Sequence, residues 1–366
     1  MQCVETLLKM IADKDYGKSA ATVVAESLVT VEDSPEAVNR LFRERRWTDG
    51  LPVVPPTPER VQHMLTGTTR APDEVVGEVA PGFGAATVQR IAINAVMAGC
   101  EPAYLPVLIA ATEAVCSAEF NLQGIQATTN PVAVWLIVNG PIVKQLDMNY
   151  GPNCLGQGNW ANATLGRALR LILQNIGRAL PGEMDRATHG QPGKYLFCCA
   201  ENEDANPWEP LHVERGIAAG QSAVTVVGAE GTTNMNTHSK IADEILRVTA
   251  ETMKRPAGND YRTGGEPWMI FSPEHAEVLK AQFTKAELKQ RLWTDSKMPA
   301  KMLTEVDMKH SMHARAAELG AMTPDTLLPV CTAPEKLGII VAGGPGTHSV
   351  YVSSFGNTRS VTRAIR

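Results

Sequence analysis

The chain has 366 residues, 44% hydrophobic and 20% charged, with a formal net charge of −5. This composition suits one large or two medium globular domains, and the lack of a basic block argues against nucleic acid as a partner. Seven cysteines without C-x-x-C spacing fit reduced thiols in a cytoplasm; no apolar run reaches the ~18 residues of a membrane span, and the N-terminus lacks a signal core.

Residues 1–45 read as an N-terminal helical arm. Ser34, Pro35 and Glu36 form a cap, a first-turn proline and a first-turn acid, and Val38, Leu41 and Phe42 give one apolar side. The same start signal recurs at Thr57-Pro58-Glu59, Ser272-Pro273-Glu274 and Thr323-Pro324-Asp325, and Thr284 to Glu287 reads as a capping box. In "RWTDGLPVVPPTPERV", Asp49-Gly50 signals a turn and the prolines hold an extended segment. Trp47 and Asp49 there either close a pocket or anchor the arm.

"INAVMAGCEPAYLPVLIAATEAV" presents a close-packing helix face through Ala92, Ala95, Val96 and Gly99, a break at Pro102 and a second helix from Tyr104. Cys100 sits at the junction. It is a candidate nucleophile where a base or positive field lowers its pKa, and an inert packing thiol otherwise.

"VWLIVNG" (134–140), "AVTVVGAEG" (223–231) and "LGIIVAGGPG" (337–346) read as buried strands running into tight glycine turns. Strands alternating with helices predict an α/β fold, with mixed or parallel sheets covered by helices.

"GPNCLGQGNWANATLGRALRLILQNIG" (151–177) is a Gly/Asn-rich loop leading into a helix. Asn162 is placed as its N-cap, and Leu165, Leu169, Ile172 and Ile176 form one buried stripe. Arg167, early in the helix, opposes the macrodipole; a bound anion would remove the mismatch, as would a surface carboxylate. Asn153, Asn159, Asn162 and Arg167 therefore form a candidate substrate-binding set. The spacing is neither a Walker A motif nor G-x-G-x-x-G, so no nucleotide is indicated.

In "HGQPGKYLFCCAENEDANPWEPL", His189 and Lys194 flank a glycine–proline turn and Tyr195 to Ala200 reads as a strand. Glu201 and Glu203 at its end are suited to acid–base work or a metal, or form a solvated acidic loop. Cys198 and Cys199 point to opposite faces, and no His/Cys set has zinc spacing. Residues 204–220 break regular structure and separate a first α/β domain, 46–205, from a second, 216–366.

"GAEGTTNMNTHS" and "GGPGTHS" both run from a glycine turn to His-Ser, at His238-Ser239 and His348-Ser349. The likeness would fit an internal duplication. Glycine backbone at Gly344 offers N–H groups to an oxyanion, and His348 and Ser349 can line a pocket at a sheet edge. His63, His212, His310 and His313 read as surface groups.

Taken together, "RWTDGLPVVPPTPERV", "INAVMAGCEPAYLPV", "CAENEDANPWEPL" and "VAGGPGTHS" resemble a largely uncharacterised bacterial family associated with UGSC-type selenoproteins and thiol proteins. That resemblance implies thiol-dependent chemistry with a partner protein, although the chain has no U-G-S-C or C-G-S-C element of its own. The repeated strand–glycine turns are also similar in architecture to the ring-opening cyanuric acid hydrolase and barbiturase group.

The residues point to a cytoplasmic enzyme, a hydrolase or lyase, acting on a small anionic organic molecule. Lys194, Glu201 or His348 would supply the acid–base step and Cys100 a nucleophile. Asn153, Asn159, Asn162, Arg167, Gly344 and Ser349 would bind substrate. No metal and no particular cofactor is indicated, and a homo-oligomer or a complex with a partner subunit is expected. The alternatives are thiol-dependent reductive cleavage with a partner subunit and a non-catalytic ligand-binding subunit.

Overall fold

The computed structural model describes residues 2–4 and 28–366. Much of the expected helical arm lies outside those residues. Its described parts are a two-stranded antiparallel pair, Gln2–Val4 with Leu28–Thr30, and helix α1, Pro35–Glu44. As expected, Ser34 caps α1, and Val38 and Phe42 are buried. Thr57 caps α2, Pro58–Leu65.

A seven-stranded mixed sheet organises the rest, as expected for an α/β fold. Its strands are β1 (Ala133–Asn139), β2 (Cys198–Ala200), β3 (Ala223–Asn236), β4 (Trp268–Phe271), β5 (Gly338–Val341), β6 (His348–Ser354) and β7 (Val361–Ala364). The order is β5-β4-β6-β3-β1-β2, with β7 following β6 along the same edge of β3. β1, β2, β3 and β4, β5, β6 repeat one topology. In each, the second strand lies parallel to the first on the outside and the third runs antiparallel to it on the inside. The two inner strands, β3 and β6, pair with each other.

The topological repeat does not follow the two Gly-to-His-Ser stretches, because it equates β3 with β6 rather than with β5. β3 also continues through Gly228 and Gly231 instead of turning there. A further correction concerns Thr323, which opens a turn closed by Thr326 rather than a helix.

The two faces of the sheet differ. Leu136, Val138, Cys198, Val224 and Val226 belong to a cluster shared with helices α3 (Val88–Ala98), α4 (Leu105–Val115) and α5 (Trp160–Asn175). Met269, Phe271, Ile339, Val341 and Tyr351 pack with α6 (Ala242–Met253), α7 (Pro273–Lys280) and α8 (Lys285–Asp295). Residues of the opposite parity, among them Trp135, Ile137, Cys199, Trp268, Ile270 and Ile340, form one cluster together. The sheet curls back on itself, so one face is filled by its own side chains and the other carries helices. Cys198 and Cys199 fall on opposite faces, as strand alternation requires.

Trp135 and Trp268 occupy corresponding positions in the repeat, opposite Val227 and Val352, and their rings meet edge-to-face at 5.8 Å. The ends of the outer strands also approach: the Asn202 N–H donates to the Val341 carbonyl at 2.7 Å.

Gly338 lies beside Trp268, where an added Cβ would come within 2.1 Å of the indole ring. The Gly338→Ala substitution is therefore expected to destabilise the fold by about 1–3 kcal/mol through overpacking. An unchanged denaturant midpoint would show that the edge strand shifts freely.

Candidate functional site

β1 and β2 are parallel neighbours, and both end beside one cleft. Crevices beyond the carboxyl ends of parallel strands are recurrent ligand sites in open sheets. This cleft has a volume of about 330 Å³ and is lined by Gly140, Lys144, Tyr150, Glu201, Glu203 and Asp204 among others. Asn139-Gly140 ends β1, Glu201 follows β2, and Tyr150 opens the Gly/Asn loop. Three stretches distant in sequence thus converge.

Glu201 is 1% exposed. Its carboxylate accepts from Asn139 Nδ2 at 2.6 Å, from Asn206 Nδ2 at 2.8 Å and from the Leu211 N–H at 2.8 Å. Burial pushes the carboxyl up to about 7, against the opposing pull of Lys285 and of these donors. Glu203 receives the Gly140 N–H at 2.7 Å and Asn139 Nδ2 at 3.0 Å, both on Oε1. Asn139 therefore bridges the two carboxylates, and its own Oδ1 is buried without a partner among the described residues.

His212 Nδ1 lies 3.6 Å from Glu203 Oε1. The expectation that His212 is a surface group is overturned, because it is buried and neither ring nitrogen has a hydrogen-bond partner among the described residues. Burial holds the imidazole below its usual pKa, with Glu203 pulling the other way. Behind Glu201, Lys285 and Lys289 converge on Glu214.

The other sequence candidates lie elsewhere. Asn159, rather than Asn162, caps α5 by accepting the Asn162 N–H. Asn162 turns inward, donates to the carbonyls of Asn149 and Cys154 and accepts the Asn149 N–H, which holds the loop in shape. Asn153 adopts positive φ and donates to the Gln157 carbonyl.

Arg167 grips Asp49 with two bonds, Nε to Oδ2 at 2.8 Å and an Nη to Oδ1 at 2.9 Å, and also reaches the Pro52 carbonyl. Asp49 thereby anchors the extended segment to α5. Two further side chains of α5 hold the same segment: Gln174 donates to the carbonyls of Arg46 and Thr48, and Asn175 to that of Trp47.

Cys100 follows the left-handed cap Gly99, and its thiol donates to the Thr164 carbonyl. Burial pushes that thiol up to about 12, so it is a poor nucleophile at neutral pH. Lys194 is paired with Asp185 at 2.5 Å. Gly344 packs on Pro152, and the Gly343 N–H donates to the Tyr150 carbonyl at 2.9 Å, which brings the C-terminal glycine turn against the start of the Gly/Asn loop.

His348 is exposed, with Nδ1 3.2 Å from Asn234 Oδ1. Ser349 is buried against a histidine that no sequence motif marked: His275 Nδ1 is 2.7 Å from its hydroxyl and His275 Nε2 is 3.0 Å from the Thr237 carbonyl. The carbonyl requires a proton on Nε2, so Nδ1 accepts from Ser349. Both residues are 1% exposed, and the pair reads as a buried polar strut.

Sequence reasoning found Glu201 but missed Asn139, Tyr150, Asn206 and His212. The Asn-Gly pair ending an apolar run was the available signal for Asn139. Among the described residues, no group of three or more His, Cys, Asp or Glu side chains is arranged to hold a metal ion. No single helix among them is long and apolar enough to cross a membrane. Compared with models of known protein families the chain matches none, and comparison with curated proteins likewise finds no match.

Proposed function

We propose that the chain is an enzyme, a hydrolase or lyase, that uses Glu201 for proton transfer to a small organic molecule in the cleft. The observation that carries this reading is a buried carboxyl, raised to about 7, on the wall of that cleft. A group poised near neutrality can both give and take a proton at physiological pH. The Gly140 turn and Tyr150 would orient the molecule.

The anionic character expected from Arg167 has less support, because that guanidinium is engaged by Asp49. Thiol-dependent cleavage is the weaker alternative, since burial raises the thiols of Cys100, Cys116, Cys154, Cys198, Cys199 and Cys331. These thiols are free, which suits a reducing compartment such as the cytoplasm. Association with a second copy or a partner subunit belongs to the same proposal, and the exposed Leu51, Val54 and Trp160 supply apolar surface for it.

The test is turnover of a panel of small esters, amides and β-substituted acids by the full chain. Glu201→Gln should lower the rate about 10²–10⁴-fold, the range for a general acid or base. The wild-type rate should change through pH 7, and the variant should lose that inflection. Full turnover by Glu201→Gln would end the proposal.

A further inference from the structure

Among the charged groups lining the cleft, Glu203 has a carboxylate oxygen with no bond to the described residues. Lys144 and Asp204 pair with each other at 2.9 Å on the exposed rim. Glu201 is already met by three donors. Glu203 is different: its bonds converge on Oε1, its side chain is 28% exposed, and Oε2 has no bond to the described residues.

Two buried groups beside Glu203 also lack partners among those residues. One is Asn139 Oδ1, an acceptor, and the other is the His212 ring. A neutral imidazole presents one acceptor nitrogen. Neither group lines the cleft, so the unfilled capacity that a ligand there can meet is that of Glu203, a negatively charged acceptor.

We propose that this cleft binds the ammonium group of a small cationic molecule, with Glu203 Oε2 as its counter-ion. This rests on the cleft being the site of the enzyme proposed above and names the class of its substrate. An ammonium group carries N–H donors and one positive charge, which match a free carboxylate oxygen and its sign. A carboxylate or phosphate would meet Glu203 with like charge and find no free cation among the described residues of the lining, because Lys144 is held by Asp204. The half-buried Tyr150 on the cleft wall adds an aromatic face of the kind that attracts cations.

Propylammonium and propionate, which share a carbon skeleton and differ in charge, test the proposal by ligand titration of the full chain with ring-labelled histidines. Propylammonium should bind and move the His212 ring resonances, and propionate should not. Glu203→Gln should weaken propylammonium binding about tenfold or more, the loss of a charged hydrogen-bond partner. Lys144→Ala removes an exposed rim cation and should leave that binding unchanged or tighter, a result that stands even if Glu203→Gln fails to fold. Equal binding of propionate, undiminished binding by Glu203→Gln, or loss of binding in Lys144→Ala would overturn the inference. Absence of propylammonium binding beside an intact Glu201-dependent rate would sink this inference and leave the acid–base reading standing; the reverse pattern would do the opposite.

Discussion

Arg167→Ala should lower the stability of the fold by about 3 kcal/mol, the low end of the scale for removing one partner of a buried ion pair. Asp49 is 3% exposed in its side chain and Arg167 14%, so the remaining carboxylate would be left nearly dry without a counter-charge. The carbonyls of Leu51 and Pro52 would lose a donor at the same time. Arg167→Lys should recover only part of the loss, because an ammonium cannot form the two parallel bonds of a guanidinium. Removing Asp49 as well should be milder than Arg167→Ala alone, since no charge is then stranded. Denaturant melts of the three variants check this; an unchanged midpoint for Arg167→Ala would show that the arm is held by other contacts, such as those of Gln174 and Asn175.

Asp260→Asn should flatten the pH dependence of stability. Asp260 is buried, with Tyr351 donating to Oδ2 at 2.7 Å and the Ser354 hydroxyl to Oδ1 at 2.6 Å. Burial raises its carboxyl from 3.8 to about 7 despite those donors. Between these values the folded state holds a proton that the unfolded chain has released, so stability falls as pH rises. The contribution is fully present below about pH 4 and is lost through pH 7, a change on the order of 4 kcal/mol. Glu201 acts in the same direction, from 4.5 to about 7. The asparagine variant should therefore show a shallower decline, with Glu201 and Glu230, whose carboxyls burial also raises, still contributing. Denaturant unfolding at pH 5 and pH 8 measures it, and an equal decline in wild type and variant would contradict the assignment.

Much of the local structure was legible without coordinates. Ser34, Thr57, Ser272 and Thr284 cap helices because a hydroxyl in extended backbone satisfies an N–H of the first turn, a bond made within four residues. The stripe Leu165, Leu169, Ile172 and Ile176 is buried because helical periodicity alone puts those residues on one face. The same reasoning failed where a short motif had two outcomes: Thr323-Pro324-Asp325 makes a turn, and the glycines of β3 lie within the strand.

The sequence by itself determined the local pieces: caps, apolar stripes, and the alternation of strands and helices that marks an α/β chain. These depend on interactions between residues close in the chain. Only the tertiary structure decided the sheet order, the curl that joins Trp135 to Trp268, and the partners of each charge. Arg167 and Asp49 are 118 residues apart, and Asn139 reaches Glu201 across 62. His212 looks like a surface histidine among its sequence neighbours and becomes a buried one beside Glu203 only when the chain folds. Whether a polar side chain binds a ligand, holds a loop or shifts its pKa depends on its burial and on partners brought from far along the chain, and neither is encoded in local spacing.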